Sequence, residues 1–261
     1  RHVGPDTTST SHDQSRLERG LRDEKIRRAP HDFDPAKDAV PYAQLPELDR
    51  YMLHRMSEVL SGITESFDRY QFFKFFQTIQ NFCIVDLSNF YLDIAKDRLY
   101  ISAPTSFRRR SCQTVLAIVL ENLTRAISPV LCHMAEDIWQ YLPYPTPYKS
   151  VFESGWVKLD PQWLQPDLAV AWDKLRDLRT DVNKVMEQAR TDKAIGSSLE
   201  AKVLLQVDDA SLRDKLAQLS FYTPPNDTQP TPTCLSPIWR RPCSVWPALN
   251  ISARSDRKSV V

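Results

Sequence analysis

Glycine is scarce in this chain, with 5 residues in 261, whereas proline occurs 19 times. So few glycines disfavour a turn-rich all-β fold. The sequence contains no Gly-x-Gly-x-x-Gly or Gly-x-x-x-x-Gly-Lys-Ser/Thr pattern that could cradle a phosphate, and no Gly-x-Ser-x-Gly nucleophile elbow. The carboxylates give no catalytic pair either, since Asp93 and Asp97 have nearby cations to pair with. The sequence therefore offers no catalytic residue.

The chain also lacks a metal-binding pattern, a long apolar run and a strong net charge. Cys132 and His133 are adjacent on a predicted helix and point to different faces, so they cannot chelate one metal ion alone. No apolar run approaches the ~18 residues of a membrane span, and residues 1–30 lack the apolar core of a signal peptide. We expect no metal, no membrane contact, no DNA partner and free thiols in a reducing compartment. That compartment would be the cytoplasm, or a mitochondrion or plastid in a eukaryote.

Apolar residues recur at helical spacing through most of the chain. The residues from Leu48 to Phe67 repeat at steps of three and four, which predicts an amphipathic helix. Tyr70 to Leu99 adds a wide aromatic stripe, and the spacing of Phe72 to Phe82 favours burial inside a bundle. The helical pattern continues from Arg108 to Leu142 but is interrupted by a proline at position 129.

Proline 129 predicts either two consecutive helices or one sharp kink, with Ser128 as the cap of the second part. Asp167 to Thr191 predicts a further amphipathic helix of nearly 40 Å. Leu199 to Val207 then alternates apolar and polar residues, as a strand does. Ser211 to Leu219 predicts a short helix.

The predicted fold class is mainly α, a helical bundle followed by a small α/β junction element and disordered tails. The two tails are predicted to be disordered because the first residues lack hydrophobic periodicity and the last ones are rich in proline. The predicted organisation is a poorly ordered segment over 1–31, an α-helical domain over 32–160, a long helix with a small α/β junction over 161–220 and a Pro-rich disordered tail over 221–261.

Basic residues are the main candidates for ligand contact. With a net charge of +1, a nucleic-acid binder must collect its cations on one face. One group lies at the end of the aromatic helix and just before the helix that follows it. A second group recurs along the long predicted helix at a spacing that can follow a phosphate backbone. These candidates are Lys96, Arg98, Arg108, Arg109 and Arg110 in the first group, and Arg176, Arg179, Asn183, Lys184, Arg190 and Lys193 in the second. Two alternatives stay open, a solvated face balanced by acidic residues and pairing of Arg110 within the bundle.

Aromatic residues near the proline-rich turn at 143–147 are the other candidates. Trp139 and Tyr144 could stack on unpaired RNA bases. They could equally attach the turn to the bundle, and the sequence favours that alternative.

Several blocks, in order along the chain, resemble isoleucine–tRNA ligases of the bacterial or organellar type. The blocks are Asp32–Pro35, Glu47–Leu53, Asn89–Tyr100, Ala126–Leu131, Ala135–Pro143, Ser150–Phe152, Val182–Arg190 and Ile195–Ala201. The resemblance spans about residues 32–220. It implies the α-helical anticodon-binding domain of a class I synthetase and the start of a junction domain, which together dock the anticodon stem-loop of a tRNA.

The family's catalytic signatures, His-Ile-Gly-His and Lys-Met-Ser-Lys-Ser, are absent. The resemblance therefore places ATP and Mg²⁺ in the full-length family and no cofactor in this chain, which we expect to be inactive alone. The expected partners are an isoleucine tRNA and the family's catalytic domain. Residues 1–30 and 221–261 resemble nothing in the family and suggest an incomplete or mis-spliced gene model, or foreign ends. The alternatives are a helical scaffold for protein partners and a truncated product without function.

Overall fold

The computed structural model describes residues 32–196, 201–206, 209, 212–216 and 249–254. The chain divides into two compact units, with the boundary between Gln165 and Pro166. Helices of the first unit are α1 (Pro35–Asp38), α2 (Glu47–Asp68), α3 (Phe72–Asn81), a π-helix (Phe82–Tyr91), α4 (Leu92–Tyr100), α5 (Phe107–Ile127) and α6 (Cys132–Gln140), with single 3₁₀ turns at Tyr42–Gln44, Val151–Glu153 and Pro161–Trp163. The second unit contains α7 (Pro166–Thr191) and the strands β1 (Ala201–Gln206) and β2 (Leu249–Arg254).

Helix α2 forms the centre of the first unit and packs against α3 and α5. Pro46 precedes its first turn, where the carboxylates of Glu47 and Asp49 suit the positive end of the helix dipole. Met52, Leu60 and Ile63 are among its fully buried apolar residues. The predicted bundle core is confirmed along this helix.

The aromatic stripe after α2 forms a nearly continuous helical stretch with a π-helix in its middle. Phe75, Ile79 and Phe82 recur at helical spacing and are buried. The prediction of burial was wrong for Phe72 and Phe73, which are 51% and 73% exposed. They lie in the first turn of α3, where the chain has just reversed direction and little of the bundle remains to cover them.

The break near Pro129 produces two helices, as one of the two predicted alternatives required. The second helix begins at Cys132 and not directly after Ser128, whose backbone is still helical at the end of α5. The backbone N–H groups of Val130 and Leu131 both donate to the carbonyl of Ile127, so Pro129 lies within a tight turn. Proline has no N–H to donate, which suits this position between two hydrogen-bonded helices.

The second unit has a long helix and a pair of parallel strands. Helix α7 agrees with the prediction to within one residue, and Trp172, Leu175, Leu178 and Val182 are its buried residues. Strand β1 pairs with β2 in register, from Ala201 opposite Leu249 to Gln206 opposite Arg254. The residues at 212–216 are helical, as predicted.

Strand β2 corrects the prediction of a wholly disordered tail. The stretch from Leu249 to Arg254 alternates apolar and polar residues, a strand pattern that the density of prolines before it obscured. The remainder of the tail, at 221–248 and 255–261, lies outside the described residues, as do residues 1–31.

Candidate nucleic-acid interface

Arg98 does not belong to a ligand-binding surface, although the sequence made it a candidate. Its side chain is 7% exposed and makes a bidentate ion pair with Asp49 at 2.6 and 2.7 Å. It also donates to the Ser111 hydroxyl at 2.7 Å and to the Arg108 carbonyl at 3.1 Å. Burial disfavours the charge, but the adjacent Asp49 carboxylate raises the pKa of Arg98 well above its ordinary value. Arg98 therefore holds three helices together.

Tyr91 completes this buried network. Its hydroxyl donates to Asp49 at 2.8 Å and lies 3.8 Å from the Cys112 sulfur. Burial and the nearby Asp49 charge together raise the pKa of Tyr91 well above 10. The phenol therefore stays neutral and acts as a hydrogen-bond donor, which satisfies the carboxylate without adding a charge.

Arg109 and Arg110 attach the N-terminal segment to the start of α5. Arg109 donates to the Asp32 carboxylate at 2.9 Å and to the Leu99 carbonyl. Arg110 donates to the Asp32 carbonyl at 2.7 Å and lies 3.5 Å from the Asp38 carboxylate. The alternative that Arg110 pairs within the bundle is confirmed, and the same conclusion applies to Arg109.

The carboxylate of Asp32 is held in its charged form by this attachment. Burial tends to raise its pKa, but hydrogen bonds from Arg109 and Gln113 and the charge of Arg109 lower the pKa of Asp32 below 3.8. Phe33, the next residue, is buried in a small cluster with Ala117 and Tyr144. The N-terminal segment is therefore fixed by an ion pair and by apolar packing at adjacent positions.

Lys96 and Arg108 remain accessible in the same region. Lys96 is partly exposed and pairs with Asp93 one turn earlier, at 2.5 Å. The guanidinium of Arg108 is half-buried and makes no hydrogen bond or ion pair to the described residues. Of the first group of basic candidates, these two can still approach a phosphate.

Trp139 and Tyr144 attach the proline-rich turn to the bundle, which is the alternative that the sequence favoured. Trp139 is 3% exposed, donates to the Tyr148 carbonyl at 3.2 Å and lies beneath the guanidinium of Arg125 at 5.1 Å. Tyr144 is 6% exposed and donates to Glu121 at 3.2 Å. Neither ring has a free face for a base, so both were wrong as stacking candidates.

The second group of basic candidates lies along α7 and just after it. Arg176, Arg179 and Arg190 are half-buried, and Asn183 and Lys184 are exposed. Lys184 pairs with Asp181 at 3.2 Å and Arg190 with Glu187, both one turn away. Ion pairs of this kind between exposed side chains are weak and exchange readily for contacts to a phosphate.

Lys193 lies just past the end of α7 in a left-handed conformation, with φ of 57°. Its N–H donates to the Arg190 carbonyl at 3.0 Å, and that of Ala194 donates to the Ala189 carbonyl at 2.9 Å. These are the two bonds of a Schellman motif, in which glycine usually takes the position of Lys193. The Lys193 side chain is exposed and has no ion pair among the described residues.

One exposed face does not follow from the sequence patterns above. The N-terminal half of α3 and the turn before it carry Tyr70, Phe72, Phe73 and Lys74 on the surface. The sequence does contain a sign of this exposed face, because from Arg69 to Val85 the chain carries two cations and no carboxylate. The run of phenylalanines in the same segment nevertheless favours the prediction of a buried helix.

The described helices include none with the length and apolarity needed to cross a bilayer. Over the same described ranges, no group of three or more His, Cys, Asp or Glu side chains is arranged to hold a metal ion.

A family model described as the anticodon-binding domain of tRNA ligase matches residues 49–205, which covers the chain from the first turn of α2 to β1. The chain belongs to this family. Among curated proteins, the isoleucine–tRNA ligase of Microcystis aeruginosa is 70% identical over 186 residues, which is 71% of this chain and 20% of that protein. The resemblance found in the sequence is therefore confirmed.

Two further isoleucine–tRNA ligases are similar to this anticodon-binding domain. The protein from Crocosphaera subtropica is 66% identical over 190 residues, or 73% of this chain. The protein from Acaryochloris marina is 70% identical over 193 residues, or 74% of this chain. The chain spans about a fifth of the length of these relatives.

Proposed function

We propose that this chain binds tRNA through the anticodon stem-loop and is specific for isoleucine tRNA. The observation that carries the proposal is the family match over residues 49–205, which includes the central helices of the bundle and all of α7. The high identity to isoleucine–tRNA ligases supports isoleucine as the amino acid. The chain would serve ATP-dependent isoleucylation that is performed by a catalytic domain with the family's two signatures.

The cations that support this function are those the fold leaves accessible. Along α7 these are Arg176, Arg179, Lys184 and Arg190, and Lys193 follows the helix. Phosphate contacts from such side chains fix the position of an RNA without reading its sequence. Discrimination between tRNAs then requires contacts to unpaired bases.

A titration of the whole chain with tRNA tests the proposal. We expect isoleucine tRNA to bind more tightly than a tRNA for an unrelated amino acid, with an affinity that falls as salt rises. A hairpin that carries only the isoleucine anticodon stem-loop should compete with the full tRNA. Failure to bind any tRNA at low salt, by a chain that is folded by circular dichroism, would refute the proposal.

The free thiols support a reducing compartment, either the cytoplasm or an organelle. Cys83 and Cys112 are buried and unpaired, and Cys132 is exposed and unpaired. Burial, together with the nearby Asp86 charge, raises the pKa of the Cys83 thiol to about 12. Fractionation of cells followed by detection of the chain would test the compartment.

A further inference from the structure

The turn after α2 holds a tyrosine in a backbone conformation that glycine usually takes. Tyr70 has φ of 55°, and its N–H donates to the Phe67 carbonyl at 2.9 Å. The N–H of Gln71 donates to the Ser66 carbonyl at 2.8 Å, which completes a Schellman motif. A bulky residue in this conformation is an outlier, and such strain concentrates at functional sites. Packing does not account for it, because Tyr70 is 80% exposed.

Two phenylalanines extend this exposed aromatic surface. Phe72 meets Tyr70 edge to face with ring centroids 6.3 Å apart, and Phe73 is 73% exposed. Behind them Phe67 contacts Phe72 at 5.7 Å and Trp156 at 5.3 Å. Phe72 is therefore supported from below by a packed aromatic cluster.

Polar groups continue the same face of α3 beyond the rings. Lys74 is exposed, and its ammonium has no ion pair among the described residues. Gln77 and Asn81 are also exposed and follow Phe73 at steps of four, so the three lie on one side of the helix. An ammonium suits a phosphate, and amides can both donate to and accept from base edges.

A cleft of about 210 Å³ adjoins this face at its C-terminal end. Gln77, Thr78 and Asn81 line it from α3, Arg55 from α2 and Asp86 from the π-helix. Asp86 is 2% exposed and accepts from the Arg55 Nε at 3.3 Å. The start of a π-helix coincides with the cleft, and π-helical segments occur frequently at functional sites.

We propose that Tyr70, Phe72 and Phe73 stack on unpaired RNA bases, with Lys74 on the adjacent phosphate and the amides of Gln77 and Asn81 on base edges. The inference rests on the proposed tRNA binding and names the residues that would contact single-stranded bases. A protein partner is less suited to this face, because an exposed lysine and two exposed amides continue it beyond the rings. The absence of carboxylates from Arg69 to Val85 also favours a polyanion.

A pair of substitutions in the full chain tests this inference. Tyr70→Gly removes the ring and relieves the backbone strain, and Phe73→Ala removes a second exposed ring. Phe152→Ala is the matched control, since Phe152 is 57% exposed on a separate 3₁₀ turn. Two probes are used, isoleucine tRNA and a short single-stranded RNA that contains 2-aminopurine, whose fluorescence is quenched by stacking.

We expect each of the two substitutions to weaken tRNA binding by on the order of tenfold and to abolish quenching of the single strand. The melting temperature should stay the same or rise for Tyr70→Gly. That result would exclude unfolding as the cause of weaker tRNA binding. Phe152→Ala should behave as the unsubstituted chain does.

The outcomes separate this inference from the proposed function. Unchanged tRNA affinity and quenching in the doubly substituted chain would overturn the stacking surface and leave tRNA binding intact. Quenching of the single strand that depends on both rings, in a chain that fails to bind tRNA, would support the stacking surface and refute the proposed function. Loss of self-association in sedimentation, with RNA binding unchanged, would assign the face to protein contact and overturn the inference.

Discussion

Two regions of the first unit differ in what their residues do and in what their composition suggests. The arginines at 98, 109 and 110 are typical of an RNA-binding surface but are occupied by contacts within the chain. The aromatic residues at 70, 72 and 73 are typical of a core but lie on the surface. The difference shows that burial and contacts within the fold decide which cations and rings a ligand can reach, and that composition alone does not.

The largest effect is expected from Arg98→Ala. The substitution leaves Asp49 buried without its bidentate partner, and breaking a buried pair in this way costs about 3–5 kcal/mol. Urea unfolding measures the loss. Lys184→Ala removes an exposed pair with Asp181 and should leave the midpoint nearly unchanged. Similar midpoints for the two variants would contradict the structural role of Arg98.

A smaller change is expected from the double substitution Arg176→Ala and Arg179→Ala on α7. If both side chains bind phosphates, the slope of log affinity against log salt should shrink by about 0.7 to 0.9 for each arginine that is removed. The measurement is a tRNA titration at several salt concentrations. Arg109→Ala is the control. The Arg109 guanidinium is bound to Asp32, so its removal should lower the free energy of unfolding without changing the slope. An unchanged slope in the α7 variant would remove this helix from the interface.

Acid should release the N-terminal segment from the bundle. The pKa of Asp32 is lowered in the folded chain, so its stabilising effect is full above the ordinary value of 3.8 and disappears as the pH falls through the lowered value. The protection of the residue 32–38 amides, measured relative to their intrinsic exchange rate at each pH, should therefore fall below about pH 4. Asp32→Asn should show fast exchange already at neutral pH and little further change on acidification. Equal protection in both forms would exclude Asp32 as the anchor.

Local signals predicted much of the fold, and long-range pairing decided the rest. Helix α7 was predicted to within one residue because its apolar residues recur at regular helical spacing. The burial of Arg98 could not be predicted, since its partner Asp49 lies 49 positions earlier in the chain. The exposure of Phe73 depends on the reversal at Tyr70, which contains no glycine to mark it. The spacing of apolar residues therefore predicted the helices better than it predicted which of their residues are exposed.

The smallest effect concerns Lys193, which resembles Tyr70 in backbone but differs in chemistry. Both residues occupy the glycine position of a Schellman motif, one with an exposed cation and the other with an exposed ring. Lys193→Gly should raise the free energy of unfolding by up to about 1 kcal/mol because it relieves the left-handed strain. Lys193→Asn should be tolerated similarly, since asparagine accepts this conformation. Thermal unfolding measures both.

The same substitutions separate strain from charge at the end of α7. If Lys193 contacts a phosphate, the glycine and asparagine variants should both bind tRNA more weakly, whereas Lys193→Arg should retain affinity together with the strain. A gain in stability that leaves tRNA affinity unchanged would mean that the strain at Lys193 does not serve binding. The contrast with Tyr70, where removal of the ring is expected to abolish stacking, would then distinguish a strained turn that holds a ligand-binding side chain from one that only ends a helix.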